Sequence, residues 1–310
     1  MRVLLQVAEQ LTRLNVKVVI YLWDQAHEKQ MADLGYRVLV GRNFQARTGD
    51  VFLVPEGWPN VISLGVRAGA RCVVYCQNWA YLYSGLPDSV FWEDLPVEFL
   101  SVSEPVRLFI EKSLGKDSVI IRPYIDETIF YPPLSKPAGS VNIAYMPRKN
   151  RALYRQIRQV LESRNRKTPG ISWISIDGLG QEEVADKLRE SHIFLATGFP
   201  EGCPLPPLEA MACGCLTTGF AGFGGWDYMR QAGQGFGPQI PLRSVPWTGN
   251  GYFCADWDVL DAALNLEKAL WHLQVQDDKF SGIIDHCLLT ARSYSRKNQA
   301  LEISAWLDSL

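Results

Sequence analysis

Short apolar runs and segments of helical period take turns along this chain, and the alternation happens twice. Val16–Leu22, Tyr36–Val40, Asp50–Val54, Arg71–Cys76, Glu98–Val102 and Ser118–Arg122 read as strands. Helical spacing over residues 4–14, 25–34, 60–67 and 104–114 accompanies them. The alternation stops at a segment holding Pro132, Pro133, Pro137 and Gly139, which reads as a linker. It restarts with strands at 141–145, 171–176, 193–196 and 215–219 and helices at 152–164 and 181–190. Helices over 259–273, 280–294 and 297–310 close the chain. Strands that alternate with helices pair in parallel, because each helix carries the chain back across one face of the sheet. The expected fold class is therefore α/β, with a first domain over 1–135, a second over 136–294, and a terminal helix over 295–310. A length of 310 residues suits two such domains.

Apolar residues make up 47% of the chain and charged residues 21%, with a net charge of −2, an ordinary globular balance. Without a basic excess there is nothing to neutralise a nucleic-acid backbone, so no nucleic-acid partner is expected. Arg148–Arg151 and Arg164–Lys167 are short basic clusters, the second read as a solvated helix end. The seven cysteines are odd in number and form no C-x-x-C pair, and the four histidines are far apart. No metal site and a reducing, cytoplasmic setting are expected. No apolar run reaches the roughly 18 residues of a membrane span, and no signal-peptide pattern opens the chain. Membrane association, if any, is expected to be peripheral.

The stretch Gly198-Phe-Pro-Glu201-Gly-Cys-Pro-Leu-Pro-Pro-Leu-Glu209-Ala-Met-Ala-Cys-Gly214 carries the chemistry. Glu201 falls in a Gly/Pro loop, and Glu209 in the first turn of a helix that opens at Pro206 or Pro207. A helix N-terminus offers backbone amides and a positive dipole end to an anion. Prolines have no amide to give, so Leu205 is the expected donor there. Two carboxylates that accept hydrogen bonds from hydroxyls, with a phosphate cradle between them, suit a nucleotide-sugar.

From Glu201 to Gly214 the chain reads E-G-C-P-L-P-P-L-E-A-M-A-C-G. This resembles the E-x7-E signature of retaining glycosyltransferases of family 4, whose form is E-G-F-G-L-P-x-L-E-A-M-A-x-G. Ile174–Gly178, Gln181–Glu190 and Ser191–Ala196 are similar to the strand, helix and strand that lead into it. Pro147-Arg148-Lys149-Asn150 stands where that family carries a basic pair, and Tyr124–Pro132 resembles its interdomain packing segment. The resemblance implies a GT-B fold, two Rossmann-like parallel-sheet domains facing a cleft, with the last helix crossing back to the first domain. It implies a metal-independent hexosyltransferase acting on a UDP- or GDP-type sugar and an acceptor hydroxyl, with no bound cofactor. Glu201, Arg148 and Lys149 are then the expected catalytic residues: Glu201 orients the hexose, and the two cations meet the charge on the departing diphosphate. Glu209 takes the ribose hydroxyls. The backbone of Gly202, Pro204 and Leu205 lines the phosphates, Gly178 the base, and Asn78 approaches the sugar. Gly219–Asp227, rich in glycine, is expected to shape the sugar pocket and to precede a helix. Aromatic residues between Trp79 and Trp92 serve either an acceptor or the core.

That family opens its first domain with a strand and a Gly-rich loop, whereas this sequence begins at the helix over 4–14. The expectation is a first domain lacking that element. A non-catalytic nucleotide-sugar-binding or scaffolding protein is the alternative it leaves, with a sugar-nucleotide epimerase of the same shape as a further one.

Overall fold

The structure is a computed structural model, and it describes residues 2–164, 170–275 and 278–310. Asn165–Lys167, part of the second basic cluster, lie outside the described residues. The chain divides into two compact units. The first runs to Val102, resumes over Val106–Pro123 and takes in Gln299–Leu310. The second consists of Ser103–Pro105 and Tyr124–Asn298.

In the first unit come α1 (Arg2–Arg13), β1 (Val19–Leu22), α2 (Glu28–Asp33), β2 (Arg37–Val40), β3 (Val51–Pro55), α3 (Ile62–Arg67), β4 (Arg71–Cys76), β5 (Val97–Ser101), α4 (Glu104–Leu114) and β6 (Ser118–Ile120). β1 and β2 form a parallel pair, and β3-β4-β5-β6 a parallel four-stranded sheet in that order. Val73, Val74 and Tyr75 of β4 are buried, as in a strand covered on both faces. The aromatic segment after β4 divides in two. Trp92 is core, its Nε1 donating to Leu82 O at 2.7 Å, while Tyr81, Tyr83 and Phe91 are exposed.

The second unit contains β7 (Val141–Tyr145), α5 (Arg151–Arg164), β8 (Ile171–Ser175), α6 (Gln181–Arg189), β9 (Ile193–Ala196), α7 (Leu205–Ala212), β10 (Leu216–Phe220), β11 (Gly251–Cys254), α8 (Val259–Val275) and α9 (Asp278–Ser293). α10 (Arg296–Asp308) follows, its residues from Gln299 grouping with the first unit. The five strands are parallel in the order β11-β10-β9-β7-β8. β9 and β10 are buried throughout, and the core gathers Ile143, Phe194, Leu195, Met211, Phe220 and Phe253 between sheet and helices. β11 carries no strand signal in the sequence analysis above. Its four residues end an irregular stretch rich in Gly, Pro and Trp, and only the pairing with β10 makes it a strand. Asp258 caps α8, accepting from Asp261 N at 2.9 Å.

The Pro-rich segment 130–139 groups with the second unit. Lys136 Nζ donates to Leu188 O, Arg189 O and Cys213 O at 3.1, 3.3 and 2.8 Å, placing its charge on the carbonyl-rich ends of α6 and α7. His192 Nδ1 accepts from Asn142 N at 3.1 Å, so its Nε2–H donates to Pro137 O, also at 3.1 Å. Three prolines restrict this segment, and these two side chains tie it down. Phe130, Ile125 and Tyr124 are buried beside it, and Asp126 pairs with Arg296 at 2.8 Å.

Candidate functional site

The strand order of the second sheet reverses between β7 and β9: the chain steps from β7 outward to β8, then returns past β7 to β9 and continues the other way. In open parallel sheets the crevice outside the carboxyl ends of the two strands at such a reversal is where ligands bind. Lys149 follows β7 and Glu201 follows β9. Lys149 Nζ lies 2.7 Å from Glu201 Oε1 and donates to Pro200 O at 3.1 Å. Asn150 Nδ2 ties the same two loops together, donating to Thr197 O at 2.9 Å and Phe199 O at 3.2 Å.

The Glu201 loop is held from several sides. Glu201 N donates to Gly222 O at 2.9 Å and Gly224 N to Glu201 O at 3.0 Å, so Glu201 pairs with Phe223 as two bridged strand residues. Gly224 is required here, because a Cβ on it would land on the Gly202 carbonyl. Ser103 Oγ donates to Gly202 O at 2.6 Å and Tyr228 Oη to Pro204 O at 2.7 Å. Gly198 leaves room for the carboxylate: a Cβ there would sit 3.2 Å from Glu201 Oε1. The Gly219–Asp227 segment thus lies against Glu201, as expected, but it ends in a 3-10 turn over Gly224–Asp227 rather than a longer helix.

α7 starts at Leu205 with Pro204 as its cap, one residue before the expected opening. Glu209 is therefore its fifth residue and stands in the second turn, not the first; it is buried. Pro206 and Pro207 remove two of the amides that a helix N-terminus leaves unpaired, which leaves Leu205 N–H as the donor of the first turn. The helix end is a weaker anion site than its position suggests, and more of an anion's charge must be met by side chains. An ammonium has three N–H groups. Two of those on Lys149 are used, and the third has no partner among the described residues. Arg148 is exposed in the same loop. Gly178, with φ +70°, is exposed at the end of β8, next to Asp177, which pairs with Arg151 at 3.3 Å.

Asn78 belongs to the first unit. Its Oδ1 accepts from Ala80 N at 3.1 Å and caps the turn Trp79–Tyr81, so its oxygen is engaged structurally. Glu56 holds it in place, accepting from Gln77 N at 3.0 Å and Asn78 N at 2.9 Å. Burial pushes the Glu56 carboxyl above its usual range, and the backbone bonds oppose that rise. Glu56, Ser103, Gly198 and Phe223 carried no signal in the sequence, because each acts through the backbone or through the space it leaves. Among the described residues no three His, Cys, Asp or Glu side chains are gathered as a metal ion requires, and no helix is long and apolar enough to cross a membrane.

These features define an α/β protein of the GT-B class, whose known members include glycosyltransferases with Rossmann-like domains. No family model matches the chain. It is 26% identical over 219 residues, 69% of its length, to an α-1,6-glucosyltransferase of Actinobacillus pleuropneumoniae serotype 7, and the match spans just under two thirds, 66%, of that relative. HepE of Anabaena, solved in complex with UDP-glucose, superposes with a TM-score of 0.71 at 11% identity, over 99% of this chain and 95% of that one. Sucrose-phosphate synthase of Thermosynechococcus elongatus gives 0.62 at 11% identity, over 98% and 91%. At such identities the two structures speak to the fold alone.

Proposed function

We propose that this chain is a retaining, metal-independent glycosyltransferase that moves a hexose from a nucleotide-diphosphate sugar, UDP-glucose first among candidates, to an acceptor hydroxyl. The observation that carries the reading is the Lys149–Glu201 contact at the carboxyl ends of the two strands flanking the sheet's reversal. The relative's name supports glucose and an α-linkage, and the HepE complex supports UDP-glucose. A donor that enters as an α-glycosyl phosphate and leaves as an α-glycoside keeps its configuration.

The residues divide the donor among them. The diphosphate takes the third N–H of Lys149, the Arg148 guanidinium and the Leu205 amide, with the Gly202–Pro204 backbone beside it. Cations aimed at oxygens that gain charge lower the barrier to departure of the diphosphate. Glu209 accepts from the ribose hydroxyls, Gly178 borders the base, and Asn78 faces the sugar. Glu201 keeps Oε1 on Lys149 and turns Oε2 to the hexose hydroxyls, orienting the anomeric carbon. The C1–O bond to the diphosphate breaks, the acceptor oxygen bonds to C1 from the same face, and the departing diphosphate takes its proton. No enzyme carboxylate is assigned as a nucleophile. The protein is expected to act in the cytoplasm.

The test is a panel of UDP- and GDP-sugars assayed for thermal stabilisation and for nucleotide release. Stabilisation with release, abolished in Glu201→Ala and Lys149→Ala, is the expected result. Stabilisation without release identifies a binding protein instead, and sugar interconversion without an acceptor an epimerase.

A further inference from the structure

Glu201 is gripped on both sides by loops that are themselves backed by a single turn, Ala255–Asp258, between β11 and α8. Asp256 Oδ1 accepts from Gly222 N at 2.9 Å, and Gly222 O accepts from Glu201 N at 2.9 Å. The carboxylate of Asp256 is therefore joined to the backbone of Glu201 through one peptide unit. On the other side the Trp257 ring stands edge to face on Phe199, with centroids 5.2 Å apart, two residues before Glu201. Phe199 meets Phe220 in the same manner at 5.4 Å.

Two features mark this turn as more than a connection. Trp257 has φ +75° and is 67% exposed, so neither burial nor an easy backbone conformation accounts for it. Phe223, the residue paired with Glu201, has φ 64° and ψ −59°, and Gly224 N donates to Gly222 O at 2.9 Å. That is a γ-turn of the rarer, strained hand. Strain of this kind costs about 1–3 kcal/mol per residue and persists only where the surroundings over-determine it. The Asp256 bond to Gly222 is one such constraint. Asp256 also lines a cavity of 250 Å³ with Phe223, Trp226, Phe236, Ile240 and Cys254. An apolar wall is a costly neighbour for a carboxylate, and burial raises its pKa while the Gly222 bond opposes the rise. The hydrogen bond to Gly222 offsets part of that cost.

We propose that Asp256 and Trp257 are positioning residues that fix Glu201, Asp256 by holding the Gly222–Gly224 γ-turn behind it and Trp257 by bracing Phe199 in front. The inference rests on the reading of Glu201 as the group that orients the donor hexose. Neither residue touches donor; both act through the placement of Glu201.

The test uses the full chain, Asp256→Ala, Asp256→Asn and Trp257→Ala, with amide exchange and calorimetric binding of UDP and UDP-glucose. In Asp256→Ala the Gly222 and Glu201 amides lose protection. UDP-glucose affinity falls about tenfold, a misplacement penalty, while UDP affinity stays within about twofold because the phosphate and ribose contacts are untouched. Asp256→Asn keeps an acceptor oxygen and restores both protection and affinity. Trp257→Ala, at an exposed side chain, folds and shows the same selective loss of UDP-glucose affinity. Unchanged exchange at Gly222 and Glu201 in Asp256→Ala overturns the inference, as does an equal loss of UDP and UDP-glucose in either variant. Should Asp256→Ala not fold, Trp257→Ala decides by the same affinity split. Failure of the functional reading looks different: Glu201→Ala then binds UDP-glucose as wild type does, whatever the exchange shows.

Discussion

Lys149 Nζ sits 2.7 Å from Glu201 Oε1, with the two side chains 30% and 23% exposed, so each charge of the site is neutralised by the other. At this exposure the pair adds about 1 kcal/mol or less to folding. Its worth lies in function, since one side chain faces phosphate and the other sugar. A double-mutant cycle on UDP-glucose turnover with Lys149→Ala, Glu201→Ala and both is expected to be non-additive, the double variant losing little beyond the worse single one. Each melting temperature should move by only a few degrees. Additive losses would mean that the two residues act separately.

Gly198→Ala probes the space around the carboxylate. The new Cβ would lie 3.2 Å from Glu201 Oε1, a distance that forces one of them to move. Turnover is expected to fall about tenfold or more, because small displacements of an orienting group are costly. Denaturant midpoints should change little. Equal turnover in variant and wild type would show that Glu201 has slack the structure does not reveal.

Cys203 is expected to be the thiol that reacts first. Six of the seven cysteines are buried, and Cys203, between Glu201 and Pro204, is partly exposed. Burial holds the thiols of Cys72, Cys76, Cys215, Cys254 and Cys287 above their usual range and pushes Cys213 up to about 12, which leaves little thiolate there near neutral pH. Alkylation followed by peptide mapping should label Cys203 ahead of the others, and UDP-glucose should slow that labelling several-fold. Labelling that begins at Cys213 or Cys215 would contradict the packing of α7.

His192 makes the second unit sensitive to acid. Burial is the main cause that lowers its pKa, with the charge of Lys136 adding to it and the bond to Pro137 opposing. A histidine more acidic in the folded state than in the unfolded one contributes stability above the unfolded pKa, about 6.5, and that contribution is lost as pH falls through the folded value. Protonation at Nδ1 also breaks the bond from Asn142 N. Urea unfolding at about pH 7.5 and about pH 5 should show wild type losing more stability than His192→Gln, about 1 kcal/mol of difference per unit of pKa shift. Equal losses in the two proteins would remove His192 as the cause.

The parallel α/β architecture was legible because its evidence is periodic. Runs such as Arg71–Cys76, Val141–Tyr145 and Ile193–Ala196 are apolar over the length of a strand, and the helices between them keep one apolar stripe. β11 was not legible, since Gly251–Cys254 owes its conformation to a neighbour in space. Within the site, the residues that present charge stood out as Lys149 and Glu201, and the structure brings those two together. The supports did not stand out. Ser103 works through the Gly202 carbonyl, Asp256 through the Gly222 amide, and Phe223 through an unusual φ, none of which has a spacing to read. The α7 start shifted by a residue because Leu205, not a proline, takes the first helical position.

The most direct measurement is the rate of UDP release from UDP-glucose by wild type and by Glu201→Ala, with UDP binding followed in both. Wild type is expected to release UDP, and Glu201→Ala to do so at least about a hundredfold more slowly while binding UDP as before, the mark of a lost transition-state contact. Release at the same rate in both proteins would contradict the assignment of Glu201 as the residue that orients the sugar.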